Sequence, residues 1–350
     1  MGLFRLTLAF CVVLAHGLNI AIPAASADVA VQTFYIISGF YMGLVLTEKY
    51  HRFGAFFENR LLRLYPAYLT VFAVTLAHSL VRWAAGRGAA DPGLILYETH
   101  FQPLNLPAKA YLIATNLLLW GQDVALFLRF DNAGHSLAFT TNALGTAPRV
   151  EKFLLVPQSW SLSIELGFYV LAPWLVRRRT TVLVGIVSTS IAVRWWLASI
   201  DLAFDPWTYR FFPTEIGSFV VGILTYRSMR TRRASALTQK AALAGLIGLT
   251  LVLSAIPGGW ITRVLFYAYC FWELPLAFQL TRANRVDRYL GELSYPVYLT
   301  HLLVISVALY SGWSGTRLAV LIVAMIAAAS LALHEVIQQP VDRLRARLAA

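Results

Sequence analysis

Charged side chains are scarce in this chain: only 13% of its 350 residues are charged, whereas 58% are hydrophobic. Water-soluble domains carry about a quarter charged residues. A chain with so little charge cannot hide all of its apolar surface inside one soluble core, so lipid must cover the rest. The composition therefore excludes a soluble enzyme and predicts an integral membrane protein.

Cysteine is nearly absent too, with only Cys11 and Cys270 in the whole chain. Both lie inside apolar runs, and neither has the paired spacing that a disulfide framework or a zinc site requires. We expect no bound metal, and we interpret both cysteines as buried packing residues.

What the sequence does contain is a series of apolar runs close to the length of about 20 residues that a membrane-crossing helix needs. In lipid each run should be a helix, because a helix satisfies its backbone hydrogen bonds within one segment. The predicted fold is all-α: a single membrane-embedded domain over residues 1–350, with about ten transmembrane helices at 3–22, 29–47, 64–80, 160–176, 182–200, 211–226, 241–256, 264–280, 295–310 and 318–337.

Basic residues are distributed unevenly between the connections. If the chain is threaded from a cytoplasmic N-terminus, 19 of its 29 lysines and arginines fall on the inner side. The positive-inside rule therefore predicts that both termini are cytoplasmic, in a multi-pass protein of the inner (plasma) membrane. The net charge of +12 is then explained by loops that face anionic lipid headgroups, and nucleic acid is not an expected partner.

The first apolar run has a second interpretation. Arg5, the apolar stretch to Ala15 and the triplet 25–27 imitate a cleavable signal peptide. Against cleavage, His16 and Asn19 interrupt the apolar stretch, so we expect a retained first helix.

One connection is long, at about residues 81–158, and is predicted to lie outside. It carries several glycines and prolines and a short apolar piece, 111–120, that is too short to cross a membrane. The loop is either a lid over a substrate site or an unstructured connection.

Ionisable residues inside the spans are the first indication of function, because lipid makes them costly without partners or a water-filled cavity. His16 follows Arg5 by eleven residues, which is almost three helical turns. Both side chains therefore share one helix face, about 16 Å apart, with Arg5 at the inner mouth and His16 deep inside. The alternative for His16 is a packing histidine.

Two other spans carry polar side chains at helical spacing. Ser161, Glu165 and Tyr169 follow one another at intervals of four residues, so they form a polar ridge on one helix. On the ninth span, Tyr298 and His301 are three residues apart and also lie close to one face. Glu165 has an alternative role, in which its hydrogen bonds only tie helices together.

A basic junction precedes the third span. Arg60 and Arg63 are three residues apart, and two arginines at this spacing can clamp a phosphate. The alternative is that they only anchor the helix at lipid headgroups.

Taken together, these strings resemble the acyltransferase-3 family of multi-helix membrane O-acyltransferases, over nearly the whole chain. The resemblance rests on five ordered blocks: Arg5 with His16, and the segments 34–40, 60–68, 160–169 and 290–301. It implies an O-acyltransferase, transferring groups other than amino-acyl groups. The acyl group, expected to be acetyl, would pass from acyl-coenzyme A as cosubstrate to a hydroxyl of a carbohydrate or a lipid-linked or other cell-surface acceptor. No tightly bound cofactor is implied.

The resemblance also suggests roles for individual residues. His16 matches the family's catalytic histidine and would be the general base, because burial disfavours the charged imidazolium. Glu165 would orient or stabilise that imidazole. Arg5 matches the arginine that the family pairs with this histidine and is expected to bind substrate. Arg60 with Arg63 resembles the arginine motif proposed to meet the donor, and Ser161, Tyr298 or His301 would donate to the oxyanion of the tetrahedral intermediate.

One feature departs from the family pattern, and one alternative function stays open. Gln339 precedes Pro340 where the family often has an acidic residue, so no role is assigned there. A proton-coupled transporter or flippase would also use intramembrane His16, Glu165 and His301, but it predicts matched broken helices in the two halves, and none is seen.

Overall fold

The computed structural model describes residues 1–17, 22–50, 52–87, 92–131, 133–232 and 234–348. Within those ranges the chain forms α1 (Gly2–Gly17), α2 (Ala27–Glu48), α3 (Phe53–Arg82), α4 (Pro92–Leu96), α5 (Leu106–Leu118), α6 (Trp160–Leu175), α7 (Thr180–Ser199), α8 (Phe212–Met229), α9 (Ala236–Val252), α10 (Trp260–Thr281), α11 (Arg285–Ala308), α12 (Gly315–Leu333) and α13 (Gln339–Leu348). One antiparallel hairpin, β1 (Leu128–Asp131) with β2 (Ser136–Phe139), is an exception to the expected all-α fold.

Each of the ten predicted spans coincides with one long helix. Residues 18–21, at the end of the first span, and Asn19 among them, lie outside the described residues. Six helical segments are long and apolar enough to cross a membrane by length and composition: Ala27–Glu48, Phe53–Ala85, Thr180–Ser199, Ala236–Ala255, Arg285–Ser311 and Gly315–Ala346. The chain is thus a helical membrane protein, while the count of ten spans and the orientation of the termini stay predictions.

At the start of several helices, a side chain accepts a hydrogen bond from a backbone N–H group that has no partner within the helix. The Asn105, Ser235 and Asn284 side chains accept hydrogen bonds from the N–H groups of Ala108, Thr238 and Asp287, respectively, each three residues further on. Such N-caps satisfy donors that the first turn of a helix leaves unpaired. Polar residues at these three positions therefore help to fix where α5, α9 and α11 start.

The two ends of the bundle differ in charge. At one end, here called the basic end, the connections at 49–52, 176–179, 230–232 and 282–284 carry most of the loop arginines. Contacts such as those of Tyr226 with Glu48 and of Arg227 with Val176 join these connections. The opposite end, here called the cap end, holds the long segment between α3 and α6.

This long segment is folded where the structure describes it, so it is not an unstructured connection. The described residues of 92–159, here called the cap, contain α4, α5 and the hairpin. They have an apolar core of their own that includes Leu112, Val150 and Phe153. The Asn116 amide group hydrogen-bonds the backbone of Phe153 and Leu155, which ties α5 to the end of the cap. Whether the cap acts as a lid stays a prediction.

The cap is also attached to the helical bundle. Tyr65 and Tyr68 on α3 donate hydrogen bonds to the carbonyl oxygens of Leu118 and Asn116. On α6, the Ser163 hydroxyl donates to Oδ1 of Asp123 at 2.6 Å and accepts from a backbone N–H of the cap at 2.8 Å. These contacts place the cap directly above α3 and α6.

A close helix crossing joins α2 and α8 through two glycines. A Cβ atom at Gly39 would lie 1.8 Å from the carbonyl oxygen of Phe219, and one at Gly222 would lie 2.0 Å from that of Ile36. Small residues let helix backbones approach in this way. Gly39 and Gly222 are therefore packing residues at this crossing.

A buried ion pair joins the cap-end halves of four helices. Glu215 on α8 is fully buried and pairs with Arg194 on α7 at 2.6 Å. Gln32 on α2 donates to the Glu215 carboxylate and accepts from the Tyr267 hydroxyl on α10. Because each of these groups has a partner, we interpret this network as structural.

Substitution of Gly39 by alanine should destabilise the protein. The added methyl group collides with backbone atoms that cannot rotate away, and overpacking of this kind costs about 1–3 kcal/mol. Gly248→Ala on α9 is the matched control, because its new Cβ would meet no atom within 4 Å and alanine favours helix. Thermal unfolding in detergent should show a lower midpoint for Gly39→Ala only, and equal midpoints for the two variants would contradict the crossing.

The Asp123 carboxyl should make stability depend on pH. Burial raises its pKa above the ordinary value, against the opposing hydrogen bond from Ser163. The folded protein therefore keeps a proton that the unfolded chain has lost, and stability falls as pH rises from the ordinary pKa through the raised one. Asp123→Asn cannot ionise. The difference in melting temperature between this variant and wild type should therefore be more in favour of the variant at pH 7.5 than at pH 4.

The control for this pH comparison is Asp131→Asn, which removes a carboxylate from the hairpin of the same cap. Its melting temperature relative to wild type should change little between the two pH values. If the difference in melting temperature between Asp123→Asn and wild type is the same at both pH values, the buried carboxyl does not titrate between them.

Candidate active site

A cavity of about 780 Å³ lies between α1, α2, α3, α6 and α11. Six of the eight residues singled out from the sequence line it: Arg5, Arg60, Arg63, Ser161, Glu165 and Tyr298. The other two, His16 and His301, are not part of its wall. Six further residues with a hydroxyl group line it: Tyr35, Ser38, Tyr41, Tyr169, Ser294 and Tyr295.

Two parallel helices, α1 and α11, set the positions of the most important side chains. At the basic end, the Asp287 carboxylate accepts hydrogen bonds from the backbone N–H groups of Gly2 and Leu3 at 2.7 and 3.0 Å. At the other end of the pair, the His16 and His301 ring centres are 5.2 Å apart. The shared direction of the helices thus puts Arg5 at the basic end and the two imidazoles at the cap end.

Three arginines form the basic-end wall of the cavity. Arg60 is buried, with 5% of its surface exposed, and its Nε atom has no hydrogen-bond partner. Its guanidinium group lies 6.0 Å from the Tyr169 ring centre, and that of Arg5 lies 6.0 Å from the Tyr41 ring centre. Within the described ranges, neither Arg5, Arg60 nor Arg63 forms an ion pair, so this wall keeps its positive charge available.

Glu165 lies in the same cavity, but it does not orient His16 as expected from the sequence. Its Oε1 atom accepts hydrogen bonds from Ser38 at 2.5 Å and from Tyr169 at 2.6 Å. The His16 ring nitrogen Nδ1 is instead 2.7 Å from the carbonyl oxygen of Val12. Glu165 therefore joins α2 to α6, and the backbone of α1 orients His16.

The predicted polar ridge of α6 points into the cavity, where it meets α11. The Ser161 and Tyr298 hydroxyl oxygens are 2.6 Å apart, and the Tyr298 hydroxyl also lies 2.7 Å from the carbonyl oxygen of Gln158. The Ser161 hydroxyl is also 3.3 Å from this carbonyl oxygen. A carbonyl can only accept, so one of the two hydroxyls donates to it and the other donates across the 2.6 Å contact. Neither hydroxyl keeps a hydrogen for an oxyanion in this arrangement, contrary to the expectation from the sequence.

The two histidines share one tautomer. Nδ1 of His301 lies 2.6 Å from the carbonyl oxygen of Tyr298, as Nδ1 of His16 does from that of Val12. Because a carbonyl only accepts, both Nδ1 atoms carry hydrogen and both neutral rings keep a lone pair on Nε2. His301 is fully buried with no partner at Nε2. It therefore offers an acceptor and not the predicted oxyanion donor.

His16 is exposed and not deep inside the protein, because α1 ends at Gly17 and leaves His16 in its last turn. The sequence-based prediction of deep burial was wrong for this reason. An exposed imidazole with a free Nε2 lone pair can accept a proton from a molecule that arrives at the cap end.

A second cavity of about 720 Å³ opens at the basic end and shares part of its wall with the first. Arg5, Tyr41 and Arg63 line both cavities. Arg282 and Arg288 add further positive charge to the second cavity. The arginine wall is thus accessible to an anion from the basic end.

Some lining residues were not identified as site residues from the sequence. Ser38 lies in segment 34–40, which carries the resemblance, but nothing in the sequence assigns it a role of its own, and Tyr41 follows it by three residues on the same face of α2. Asn59 does not line the cavity, but it accepts a hydrogen bond from Arg60 at 3.2 Å. A single amide near a helix start is common, so the sequence did not identify Asn59 either.

Comparison with known proteins gave one match. A family model described as an acyltransferase domain matches residues 1–334. No curated protein and no solved structure matches the chain.

Two substitutions of Glu165 should separate its hydrogen bonds from its charge. Glu165→Gln keeps an oxygen that accepts from Ser38 and Tyr169, so its melting temperature in detergent should stay near wild type. Glu165→Leu leaves both hydroxyl groups without their acceptor, which costs about 1–3 kcal/mol for each buried group. Leucine should therefore lower the midpoint clearly more than glutamine does. Equal losses would mean that the carboxylate charge, not hydrogen bonding, holds α2 to α6.

Proposed function

The chain belongs to the acyltransferase-3 family, and from this premise we propose that it transfers an acyl group from acyl-coenzyme A to a hydroxyl of a carbohydrate or other cell-surface acceptor. Membership of the family supports a membrane acyltransferase in general. The donor, the acetyl group and the class of acceptor are the proposed part.

The observation that carries the proposal is the chemical difference between the two ends of the site. Arg5, Arg60 and Arg63 gather unpaired positive charge at the basic end, and His16 lies at the cap end, eleven residues from Arg5 on one helix. At 1.5 Å per residue the two α1 side chains are separated by about 16 Å. A donor that binds both ends must be anionic at one end and carry its reactive group on a long arm.

Acyl-coenzyme A has this shape. Its phosphate groups suit the guanidinium groups, which present N–H donors in a planar fork. Its thioester lies at the far end of the pantetheine arm, so it can approach His16 while the phosphates stay at the basic end. The donor is a cosubstrate that enters and leaves, and no tightly bound cofactor is part of the proposal.

The reaction uses the lone pair on Nε2 of His16. The acceptor hydroxyl gives its proton to Nε2 as its oxygen attacks the thioester carbonyl carbon, which forms a C–O bond and a tetrahedral intermediate. The C–S bond then breaks, and the sulfur takes the proton from the imidazolium, so coenzyme A leaves as a thiol. The Nδ1–H bond to Val12 holds the ring in the required tautomer throughout.

The acceptor enters from the cap end, where His16 is exposed. With both termini cytoplasmic, this end faces away from the cytoplasm, in agreement with a carbohydrate or lipid-linked acceptor at the outer side of the plasma membrane. The positive charge of the basic end then faces the cytoplasm, which holds the acyl-coenzyme A pool. A transporter would not require Arg5 of the arginine wall and the His16 base to lie at opposite ends of one helix.

Substitution of His16 should abolish acyl transfer without loss of the fold. Purified wild type in detergent should release coenzyme A thiol from acetyl- or longer acyl-coenzyme A in the presence of an acceptor. His16→Gln should be at least about 100-fold slower, because general base catalysis contributes a factor of that size or more. Arg63→Ala should instead raise the donor KM.

His78→Gln is the matched control for His16→Gln, because His78 lies on α3 and not on α1 or α11, the two helices that carry the paired histidines. It should release thiol at the wild-type rate. Full activity in His16→Gln would remove the proposed base. If wild type releases thiol from none of the acyl donors and does not bind coenzyme A, the proposed function is wrong.

A further inference from the structure

The C-terminal helix α13 lies beyond residue 334, where the match to the family ends. It packs against α3, the helix that carries Arg60 and Arg63. Its Arg345 side chain is directed toward the bundle and is only 14% exposed, whereas Arg343 on the same helix is exposed. A residue outside the family domain therefore reaches the arginine wall of the site.

Asn59 connects Arg345 to Arg60. Its Oδ1 atom accepts a hydrogen bond from Nη2 of Arg60 at 3.2 Å and another from Nη2 of Arg345 at 2.9 Å. Two guanidinium groups are thus held against one amide oxygen. Both of their Nε atoms are buried without a partner, so each group keeps an unused donor.

The charges around Asn59 are not balanced. Among the described residues, Asp342 is the carboxylate that pairs with Arg345, and neither Arg60 nor Arg63 has an ion-pair partner. Packing like charges together in a partly buried place costs free energy unless an anion neutralises them. Arg60, whose buried Nε atom lacks a partner, also lines the central cavity where such an anion would bind.

We infer that Arg345 is a positioning residue for a phosphate-binding subsite, in which it holds Asn59 and Arg60 in place and adds positive charge for a phosphate group of the acyl donor. This inference rests on the proposed function, because it takes acyl-coenzyme A as the donor. The chemistry would suit a lipid phosphate equally well, so the experiment separates the two sources.

The sign of the charge change separates a phosphate subsite from a purely structural contact. Arg345→Gln removes one positive charge, and Asp342→Asn removes the negative charge that opposes it. If Arg345 only holds α13 to α3, loss of its ion-pair partner Asp342 loosens the Arg345 side chain as well, so both variants should impair the enzyme in the same direction. If it supports a phosphate subsite, Arg345→Gln should raise the donor KM, and Asp342→Asn should lower it or leave it unchanged.

The measurement is the donor KM and kcat of the full-length protein, with acyl-coenzyme A, acyl-phosphopantetheine and acyl-pantetheine as donors of decreasing phosphate content. With acyl-coenzyme A, Arg345→Gln should raise KM about tenfold, as expected for loss of one charge-assisted interaction, with kcat within about twofold. Arg345→Lys should recover part of this loss because it restores the charge. Acyl-pantetheine has no phosphate, so wild type and Arg345→Gln should have equal KM values for it.

Arg343→Gln is the matched control, because it also removes one positive charge from α13. Among the described residues, Arg343 is exposed and bonds Gln339 of its own helix, so the donor KM should stay at the wild-type value. Equal KM changes in Arg343→Gln and Arg345→Gln, or a change in Arg345→Gln that persists with acyl-pantetheine, would overturn the inference.

The lipid source is tested in nanodiscs of phosphatidylcholine with and without phosphatidylglycerol. The effect of Arg345→Gln could require phosphatidylglycerol and be independent of the phosphate content of the donor. That result would assign the site to lipid phosphate and overturn the donor assignment. If wild type used no acyl-coenzyme A at all, the proposed function would fail by itself. Calorimetric binding of coenzyme A would then decide the subsite: weaker binding by Arg345→Gln supports it, and unchanged or absent binding overturns it.

Discussion

The hydrogen bonds from the start of α1 to Asp287 fix the register of the two helices that carry the site. Asp287 lies in the first turn of α11, where Asn284 caps the helix, and it accepts from two N–H groups that α1 leaves unpaired. Gly2 and Gly291 allow the backbones to touch, since a Cβ at either position would meet the other helix within 2.8 Å. A shift of one residue along this contact would rotate Arg5 out of the cavity and His16 away from His301.

Buried polar groups that have hydrogen-bond partners hold the structure together, whereas those without partners are open to a ligand. Glu215, Arg194 and Gln32 satisfy one another and join helices near the cap end. Ser161, Tyr298 and Glu165 also have partners, which explains why the cavity keeps its shape. Several buried groups have unused donors or acceptors, among them Arg60 and Arg345 at the basic end and His301 near the cap end. Because an unsatisfied buried group is costly, a ligand that reaches Arg60 in the cavity wall would remove part of that cost.

Much of this arrangement could be predicted from the sequence, because lipid enforces simple rules. Apolar runs located the long helices, and helical spacing put Ser161, Glu165 and Tyr169 on one face. The pairing of side chains between helices was not accessible in the same way. Glu165 had no sequence feature that would favour Ser38 over His16 as its partner, since this depends on which face α2 turns to α6. The burial of His16 was mispredicted because the apolar run continues past the point where α1 ends.

The separation between charge and base limits which donors the site can use. A small acyl phosphate has its anionic group next to its reactive carbon, so it could neutralise the arginines or reach His16, but it could not do both across about 16 Å. In the proposed reaction, a long carrier would bind at the basic end without moving its reactive carbon there, and the free energy of phosphate binding would hold the thioester near His16. The acceptor would approach from the cap end, away from the arginines. The proposed donor and acceptor would therefore come from opposite ends and meet at the His16 imidazole.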